Sequence, residues 1–246
     1  MSSRFLPVSF MMAVMLFLSS CNGNEESSGT DKTSSDSSTA TTTTEAVAVS
    51  TISTTPQAMF TVKHKVSNFT KWKASYDEHD SMRLAAGLHN YVIGRGVNDS
   101  NTVLVALKAD DLAKAKEFGK DASLKKAMQK GGVTGTPSFS FFIATFQDTA
   151  VVNSTIRSMT TFAVKDWAAW QKAFGEGRQE RVDNGLTDRV FGHDPDDNNK
   201  VTLVLAITDT AKASAYWRSD MLKNRRAASG AIGVPERFVF RIVQRY

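Results

Sequence analysis

The sequence predicts an α+β fold built from two tandem modules, each with the strand and helix order βαββαβ. Three observations predict it. Residues 63–146 match residues 161–244 without a gap when they are displaced by 98 positions. Within each copy, short runs with a period of two alternate with stretches that repeat every three or four residues. The 246 residues are 41% hydrophobic, which is enough to build a core and excludes a wholly disordered chain.

The internal match is too dense to arise by chance. A repeat of 98 residues is domain-sized, because solenoid units are only about 20–50 residues long. We therefore place the first module at residues 58–148 and the second at residues 153–246. First-copy residues that recur unchanged 98 positions later include Val66, Trp72, Glu78, Arg83, Gly87, Leu88, Val92, Gly94, Leu107 and Pro137.

The chain begins with the features of an export signal. Arg4 precedes a run of 14 mostly apolar residues from Phe5 to Leu18, which is too short to span a bilayer. The run ends in Leu-Ser-Ser followed by Cys21, which resembles the lipobox of bacterial lipoproteins. This predicts that residues 1–20 are a lipoprotein signal peptide and that Cys21 is lipidated. The alternative is a plain secretory signal with a chance cysteine.

Residues 21–57 are predicted to be the lipidated cysteine followed by a Ser/Thr-rich disordered tether. No apolar periodicity occurs before Met59, so nothing here offsets the entropy of ordering the chain. Asn22 favours, by resemblance, an outer-membrane lipoprotein in the envelope of a Gram-negative cell. The periplasmic and surface-exposed sides both stay open. The membrane, reached through the lipid anchor, is the first expected partner.

The first half of each module is predicted to be a strand, a helix and a second strand. Residues 60–66 alternate in polarity, and Asn68 and Asp166 are N-cap candidates for the first helices. Gly87 and Gly185 are the C-cap candidates that end these helices. The second strands are expected at residues 88–95 and 186–193.

The second half of each module is predicted to be a third strand, a second helix and a fourth strand. The third strands are expected at 102–108 and 200–207, and the second helices run to about Gln129 and Ala227. This order is that of the ferredoxin-like, split-βαβ module. Both helices of such a module lie on one face of its sheet, so two modules in one chain can cover each other's bare faces.

Three segments carry a resemblance to a known superfamily: Val-Ser-Asn-Phe-Thr-Lys-Trp-Lys at 66–73, Arg-Leu-Ala-Ala-Gly-Leu at 83–88, and the glycine-rich stretch 124–137. They resemble the dimeric α+β barrel superfamily, in particular small proteins similar to antibiotic-biosynthesis monooxygenases, over residues 58–246. The resemblance implies one intramolecular, pseudo-dimeric barrel whose interior holds a ligand or active site. The superfamily includes cofactor-free oxygenases, haem-degrading enzymes, isomerases and members without known activity, so the fold does not fix the function.

The second and fourth strands supply the candidate ligand cavity. The recurrence of Leu88, Val92 and Gly94 in both copies favours a helix-covered face for them, so the alternate residues are predicted to line the barrel. Such a wall suits a planar or anionic small molecule. The alternative is that its arginines lie at strand ends and point to solvent. The candidates are Tyr91, Arg95, Arg189, Phe191, His193, Arg237 and Arg241.

Catalytic residues are not determined by the sequence, and the best candidates are His79, Arg83 and His89. An arginine beside His79 would favour a neutral, proton-accepting imidazole, which can act as a general base. The second copy has Gly177 at the position of His79, so at most one copy would be competent. The alternative is that Arg83 packs its stem on the helix and binds backbone carbonyls. Two tryptophans are predicted to anchor helices to the sheet, namely Trp72 and Trp170.

The charge distribution argues against nucleic acid as a partner. The net charge of +5 divides into +1 for residues 1–20, −4 for residues 21–55 and +8 for residues 56–246. That +8 is 13 basic minus 9 acidic residues up to position 150 and 15 minus 11 after it, so no single basic patch stands out. The four histidines lack ligand spacing, and one cysteine excludes an internal disulfide, so we expect no metal site and no cofactor.

Two functions remain. The first is a membrane-anchored lipoprotein whose fused barrel binds a small hydrophobic or anionic ligand without turnover. The alternative is a cofactor-independent monooxygenase or isomerase that acts on an aromatic small molecule in the barrel, with haem held by one histidine as a third version. The sequence leaves further oligomerisation open.

Overall fold

The computed structural model describes residues 50–246. The predicted signal peptide, Cys21 and the predicted tether up to residue 49 lie outside the described residues. Within residues 50–246, no helix combines the length and the apolar character that crossing a membrane requires.

The fold class is α+β, and the two βαββαβ modules follow one another as predicted. The first module contains β1 (Ile52–Ser53), β2 (Gln57–Val66), α1 (Phe69–Glu78), α2 (Asp80–Ala85), β3 (Leu88–Gly96), β4 (Thr102–Ala109), α3 (Leu112–Phe118), α4 (Ala122–Lys130) and β5 (Val133–Asp148). The second contains β6 (Ile156–Val164), α5 (Trp167–Glu176), α6 (Arg178–Asp183), β7 (Leu186–His193), β8 (Lys200–Ile207), α7 (Thr210–Trp217), α8 (Asp220–Ala228) and β9 (Ala231–Arg245).

Each predicted helix is a pair of short helices. The first helix of each module breaks at an equivalent residue, His79 or Gly177. An arginine from the next turn closes each break, because the guanidinium of Arg83 donates to the carbonyl of Tyr76 and that of Arg181 donates to the carbonyl of Phe174, both at 2.7 Å. Carbonyls at a helix end need such donors, so the arginine that recurs in both copies stabilises both breaks.

The strands form a closed barrel. The sheet order is β1-β5-β2-β4-β3-β9-β6-β8-β7, and β5 also pairs with β7, so eight strands form a ring. The long strands join the modules, because β5 pairs with β7 and β9 pairs with β3. Closure removes the free edges that an open sheet would present to other chains.

Two equivalent glycines permit close approach at the two seams between the modules. A Cβ atom at Gly192 on β7 would lie 1.9 Å from the carbonyl oxygen of Ile143 on β5. A Cβ atom at Gly94 on β3 would lie 2.2 Å from the ring of Phe240 on β9. Any larger residue would therefore push the strands or that ring apart, which accounts for a glycine at this position in both copies.

The end of the predicted tether belongs to the sheet. β1 pairs with the end of β5, with Ile52 opposite Asp148 and Ser53 opposite Gln147, and β2 already begins at Gln57. The expectation of disorder up to residue 57 is therefore wrong for this stretch. Main-chain hydrogen bonding to an existing strand needs no apolar pattern in the added segment, which is why the composition did not reveal it.

The side chains of the sheet pack on two sides. Beneath the helices lies one core per module, with Phe60 and Leu88 in the first and Leu186 in the second. Inside the barrel, Met59 packs with Phe142 and Ala144. Alternation along β2 sends neighbours to opposite sides of the sheet.

A candidate ligand cavity beneath the helices of the first module

A β-bulge on β3 and another on β7 decide which residues line the barrel. Pairing with the neighbouring strand shifts between Asn90 and Val92, and again between Asp188 and Val190. One extra residue reverses the faces of all the side chains that follow it in the strand. Of the predicted cavity residues on these strands, Tyr91 and Arg189 line the interior.

The predicted cavity residues that follow each bulge, Arg95, Phe191 and His193, face the helices instead, which corrects the predicted lining. The guanidinium of Arg95 lies 4.3 Å from the ring centre of Phe69 on α1. The ring of His193 lies 5.0 Å from that of Trp167 on α5, and Phe191 packs in the same aromatic layer. Conversely Val92, expected beneath the helices, is part of the barrel interior.

The two arginines predicted from the fourth strand also lie outside the barrel interior. Arg237 lies beneath the helices of the second module, with its guanidinium 4.2 Å from the ring centre of Trp217. Arg241 is exposed and donates to the hydroxyl of Thr155 at 3.2 Å. Arg241 therefore points to solvent, as the alternative interpretation held. Arg237 lines a cavity between the sheet and the helices of the second module.

Arg83 is buried and makes hydrogen bonds within the protein, in agreement with the alternative that it packs on the helix and binds backbone carbonyls. It is 5% exposed, and its guanidinium bonds the carbonyl of Tyr76, the amide oxygen of Asn90 and the carboxylate of Asp80. His89 is exposed and pairs with Asp110 at 2.8 Å on the outside of the module. Arg83 therefore uses three of its five N–H donors on the protein, and His89 lies away from the cavity beneath the helices of the first module.

A cavity of about 60 Å³ lies between the sheet and the helices of the first module. Its walls are almost entirely apolar, and its polar groups come from the sheet and from the break between α1 and α2. The residues that line this cavity include His64, Trp72, Tyr76, His79, Met82, Leu124 and Met128.

His64 is the unusual group in this cavity, and the sequence reasoning missed it as a site residue. It is 4% exposed, and within the described residues neither of its ring nitrogens has a hydrogen-bond partner. Burial lowers the pKa of His64 from 6.5 to about 4, so the imidazole is neutral at neutral pH. A buried polar group without a partner is costly, which marks this side chain for a ligand or water contact.

A signal for His64 was available in the repeat. The residue 98 positions later is Phe162, so one copy places an imidazole where the other places a phenyl ring on the same helix-facing side of the strand. A polar residue on an otherwise apolar strand face is informative only when its burial is known, because an imidazole can also reach solvent.

His79 lines the same cavity from the helix break. Its Nδ1 lies 2.6 Å from the carbonyl of Ser75, an acceptor, so the hydrogen of the neutral tautomer is on Nδ1 and Nε2 accepts in that tautomer. Tyr76 is held by Asn90, and burial raises the pKa of its hydroxyl above its ordinary value, so it stays protonated. The ring of Trp72 lies 5.4 Å from that of His64 and forms an aromatic wall. Trp170 is 2% exposed in the equivalent place of the second module.

The second module has a different cavity, of about 80 Å³. Phe162 and Gly177 replace the two histidines, while Arg226 and Arg237 contribute guanidinium groups. The two modules therefore share a fold and differ in the chemistry beneath their helices.

Two observations bear on a metal ion or haem as a ligand of the described residues. Among residues 50–246, no group of three or more His, Cys, Asp or Glu side chains could hold a metal ion. Cavities for drug-sized ligands measure about 300–1,000 Å³. The 60 Å³ beside His64 is far below that range, and haem would have to displace the helices to reach the imidazole.

The fold and the cavities define a class of protein: an α+β barrel of two fused modules with small cavities beneath its helices. Solved structures share this fold. A candidate monooxygenase from Fusobacterium nucleatum superposes with a TM-score of 0.52 and 13% identity, covering 77% of this chain and 93% of that one. An anthrone oxidase-like protein superposes with a TM-score of 0.56 and 13% identity, covering 80% and 94%.

A candidate chlorite dismutase superposes with a TM-score of 0.51 and 13% identity, covering 76% of this chain and 95% of that one. These neighbours are dimeric α+β barrels, so the predicted fold class is confirmed. At such identities the similarity shows the fold alone. No protein-family model matches the chain, and no curated protein matches it.

Proposed function

We propose that this chain is an envelope lipoprotein that binds a small aromatic molecule carrying one hydroxyl group, in the cavity beside His64. The unpaired, neutral imidazole of His64 carries the proposal. The sequence features at residues 1–21 support the anchoring, and the cavity supports the ligand class. The proposed ligand lies beneath the helices of the first module and not in the barrel interior.

The chemistry of recognition follows from the cavity walls. A hydroxyl group can donate a hydrogen bond to one nitrogen of His64 or accept one from the other, which removes the cost of an unpaired buried group. The ring of the ligand would pack against Trp72, because offset stacking favours a second aromatic ring there. A ligand without a hydroxyl would leave the imidazole unpaired and bind more weakly.

The cavity must enlarge to admit such a ring. An apolar cavity of about 150 Å³ holds benzene, and this one measures about 60 Å³. Its lining includes three half-buried aliphatic side chains, those of Met82, Leu124 and Met128. Methionine adapts its shape readily, so the lining can open without unfolding of the helices.

A second candidate function is cofactor-independent oxygenation, favoured by the fold shared with an anthrone oxidase-like protein. His64 or His79 would take a proton from an aromatic substrate, whose anion would reduce O₂, with one oxygen atom entering the product carbonyl and the other leaving as water. However, burial lowers the pKa of His64 to about 4, so His64 is a weak proton acceptor at neutral pH. Binding through the unpaired imidazole of His64 is the function that the geometry supports best.

A matched pair of probes tests the proposal. Phenol and toluene have nearly the same size, and only phenol carries a hydroxyl. We expect the full chain to bind phenol more tightly than toluene, by roughly tenfold for one hydrogen bond to a buried partner. His64→Phe should abolish this preference while it keeps an aromatic ring, and the exposed His89→Phe should preserve it.

Two outcomes would redirect the proposal. Equal binding of both probes to the unaltered chain would exclude His64 as the recognition group. Consumption of O₂ with anthrone or a phenol, lost in His64→Phe or His79→Ala and retained in His89→Phe, would favour the oxygenase.

A further inference from the structure

One end of the barrel interior holds an excess of positive charge. Arg157 on β6, Arg189 on β7 and Arg245 on β9 line one cavity with a single carboxylate, that of Asp148 on β5. Lys108 on β4 adds a fourth cation, with its Nζ 4.9 Å from the ring centre of Tyr91 in the same wall. We call this set the arginine end of the barrel.

The opposite end of the interior is neutral by comparison. There Lys63 and Glu236 form an ion pair at 3.0 Å. The charge excess is therefore a property of one end and not of the whole barrel. The two modules contribute to it unequally, because the residue equivalent to Arg157 in the first module, 98 positions earlier, is Met59.

At the arginine end, a guanidinium nitrogen has N–H donors that no protein group in residues 50–246 accepts. Arg189 is 9% exposed, and its Nη1 is buried without a hydrogen-bond partner among the described residues. That nitrogen lies 3.8 Å from Asp148, too far for a good hydrogen bond, while Nη2 donates to the carbonyl of Ala150 at 2.7 Å. Asp148 already accepts from the backbone amide of Ala150 at 2.9 Å.

Arg157 lines the same cavity as Arg189. It is 3% exposed, and its Nη1 donates to the carbonyls of Ser154 and Ile156, both at 2.9 Å. Burial, followed by the charges of Arg245 and Arg189, lowers the pKa of Arg157 to about 10. Like charges held this close in a buried place repel one another, so an anion among them would relieve the repulsion.

The rest of the cavity is apolar and small. It measures about 70 Å³, and its inner walls include Met59, Phe142, Met159 and Phe240. One water occupies about 30 Å³ of the liquid, so the space admits a carboxylate group with one or two carbon atoms behind it. Guanidinium groups bind carboxylates through two parallel hydrogen bonds, which a point charge cannot do.

We infer that the arginine end of the barrel binds a small carboxylate, with its oxygens at Arg157 and Arg189 and its short alkyl part against Met59 and Met159. A phosphate dianion fits less well, because the carboxylate of Asp148 and the apolar inner wall both disfavour a second charge. This site is separate from the cavity beside His64, which lies on the other side of the sheet.

The test measures binding of sodium propionate to the full chain in a mild non-ionic detergent by calorimetry, at constant ionic strength set with chloride. We expect saturable binding that Arg157→Met, which copies Met59, weakens at least about tenfold. The exposed Arg218→Met, which removes an equal charge at the C-cap of α7, should leave the affinity unchanged, and His64→Phe should leave it unchanged as well.

Thermal unfolding shows whether a variant that loses propionate binding is still folded. Arg157→Met should unfold at the same or a higher temperature than the unaltered chain in chloride, because it relieves repulsion. If it fails to fold, Arg245→Met, at an exposed residue of the same cavity, replaces it. Heat from propionate no larger than that from chloride, or equal loss in Arg157→Met and Arg218→Met, would overturn the inference. Tighter binding of inorganic phosphate than of propionate would overturn the assignment to carboxylates.

Discussion

Replacing His64 by phenylalanine should stabilise this protein, although it alters a residue at the candidate site. The second module supplies the precedent, since Phe162 occupies the equivalent position and packs against Trp170. The ring of the new phenylalanine can keep the contact that His64 makes with Trp72, whose ring centre is 5.4 Å away.

The magnitude at neutral pH follows from the unpaired nitrogens. A buried polar group without a partner costs about 1–3 kcal/mol, and the neighbouring 60 Å³ cavity can take the larger ring. Some of that gain is offset by packing strain, so we expect a net stabilisation of about 1–2 kcal/mol. For a body of this size, each kcal/mol raises the unfolding temperature by about 2–4 °C.

The pH dependence gives a second, independent magnitude. The folded-state pKa of His64 is about 4, below its ordinary value of 6.5. Between these two values the unfolded chain binds a proton that the folded chain does not, so stability falls as pH falls from 6.5 to about 4. The full shift corresponds to about 3 kcal/mol, and His64→Phe should lack this part of the acid destabilisation.

The assay is denaturant unfolding of the full chain, followed by tryptophan fluorescence at pH 7.5 and at steps down to pH 4.5. The carboxylates that titrate in the same pH range are present in both the unaltered chain and His64→Phe. The difference between their unfolding free energies therefore reports on His64 alone. His89→Phe is the control, because its imidazole is half-exposed and pairs only with Asp110. A loss of more than about 1 kcal/mol in His64→Phe, or an unchanged pH profile, would refute the view that this imidazole is unpaired.

Three further predictions address the fold and the anchor. Arg181→Met should cost about 3–5 kcal/mol in denaturant unfolding, because it strands the buried Asp188, and adding Asp188→Leu should recover most of that loss; no recovery would contradict the ion-pair explanation. Gly192→Ala should lower the unfolding temperature by several degrees through its clash with β5, whereas Gly175→Ala on α5, where a methyl group meets open space, should leave it unchanged or raise it by a few degrees. Cys21→Ser should move the protein from the membrane fraction to the soluble fraction on centrifugation, and unchanged fractionation would exclude the lipid anchor.

Much of the fold was accessible from the sequence because it depends on local patterns. Alternation marked the strands, Asn68 and Asp166 cap their helices as expected, and Gly87 and Gly185 adopt φ values of 68° and 72° directly after the first helix pairs. The breaks at His79 and Gly177 were not accessible, since they depend on an arginine that reaches back to a carbonyl of the preceding helix.

The candidate sites were much less accessible. The two bulges reversed the faces of β3 and β7, so Arg95 and His193 moved from the expected interior to the helix side. A β-bulge requires no particular residue type, so the sequence pattern of a strand does not reveal it. The strand alternation did place His64 with Phe60 and Val62, and the missing fact was that nothing pairs with its ring.

The sequence by itself determined two copies of one βαββαβ module, because strand periodicity, caps and internal identity are all carried by neighbouring or equivalent residues. Only the tertiary structure decided which side chains meet. The unpaired imidazole of His64 and the clustered guanidinium groups of Arg157 and Arg189 depend on strand register, on closure of the barrel and on exclusion of water. Those are relations between residues far apart in the chain, and no local pattern encodes them.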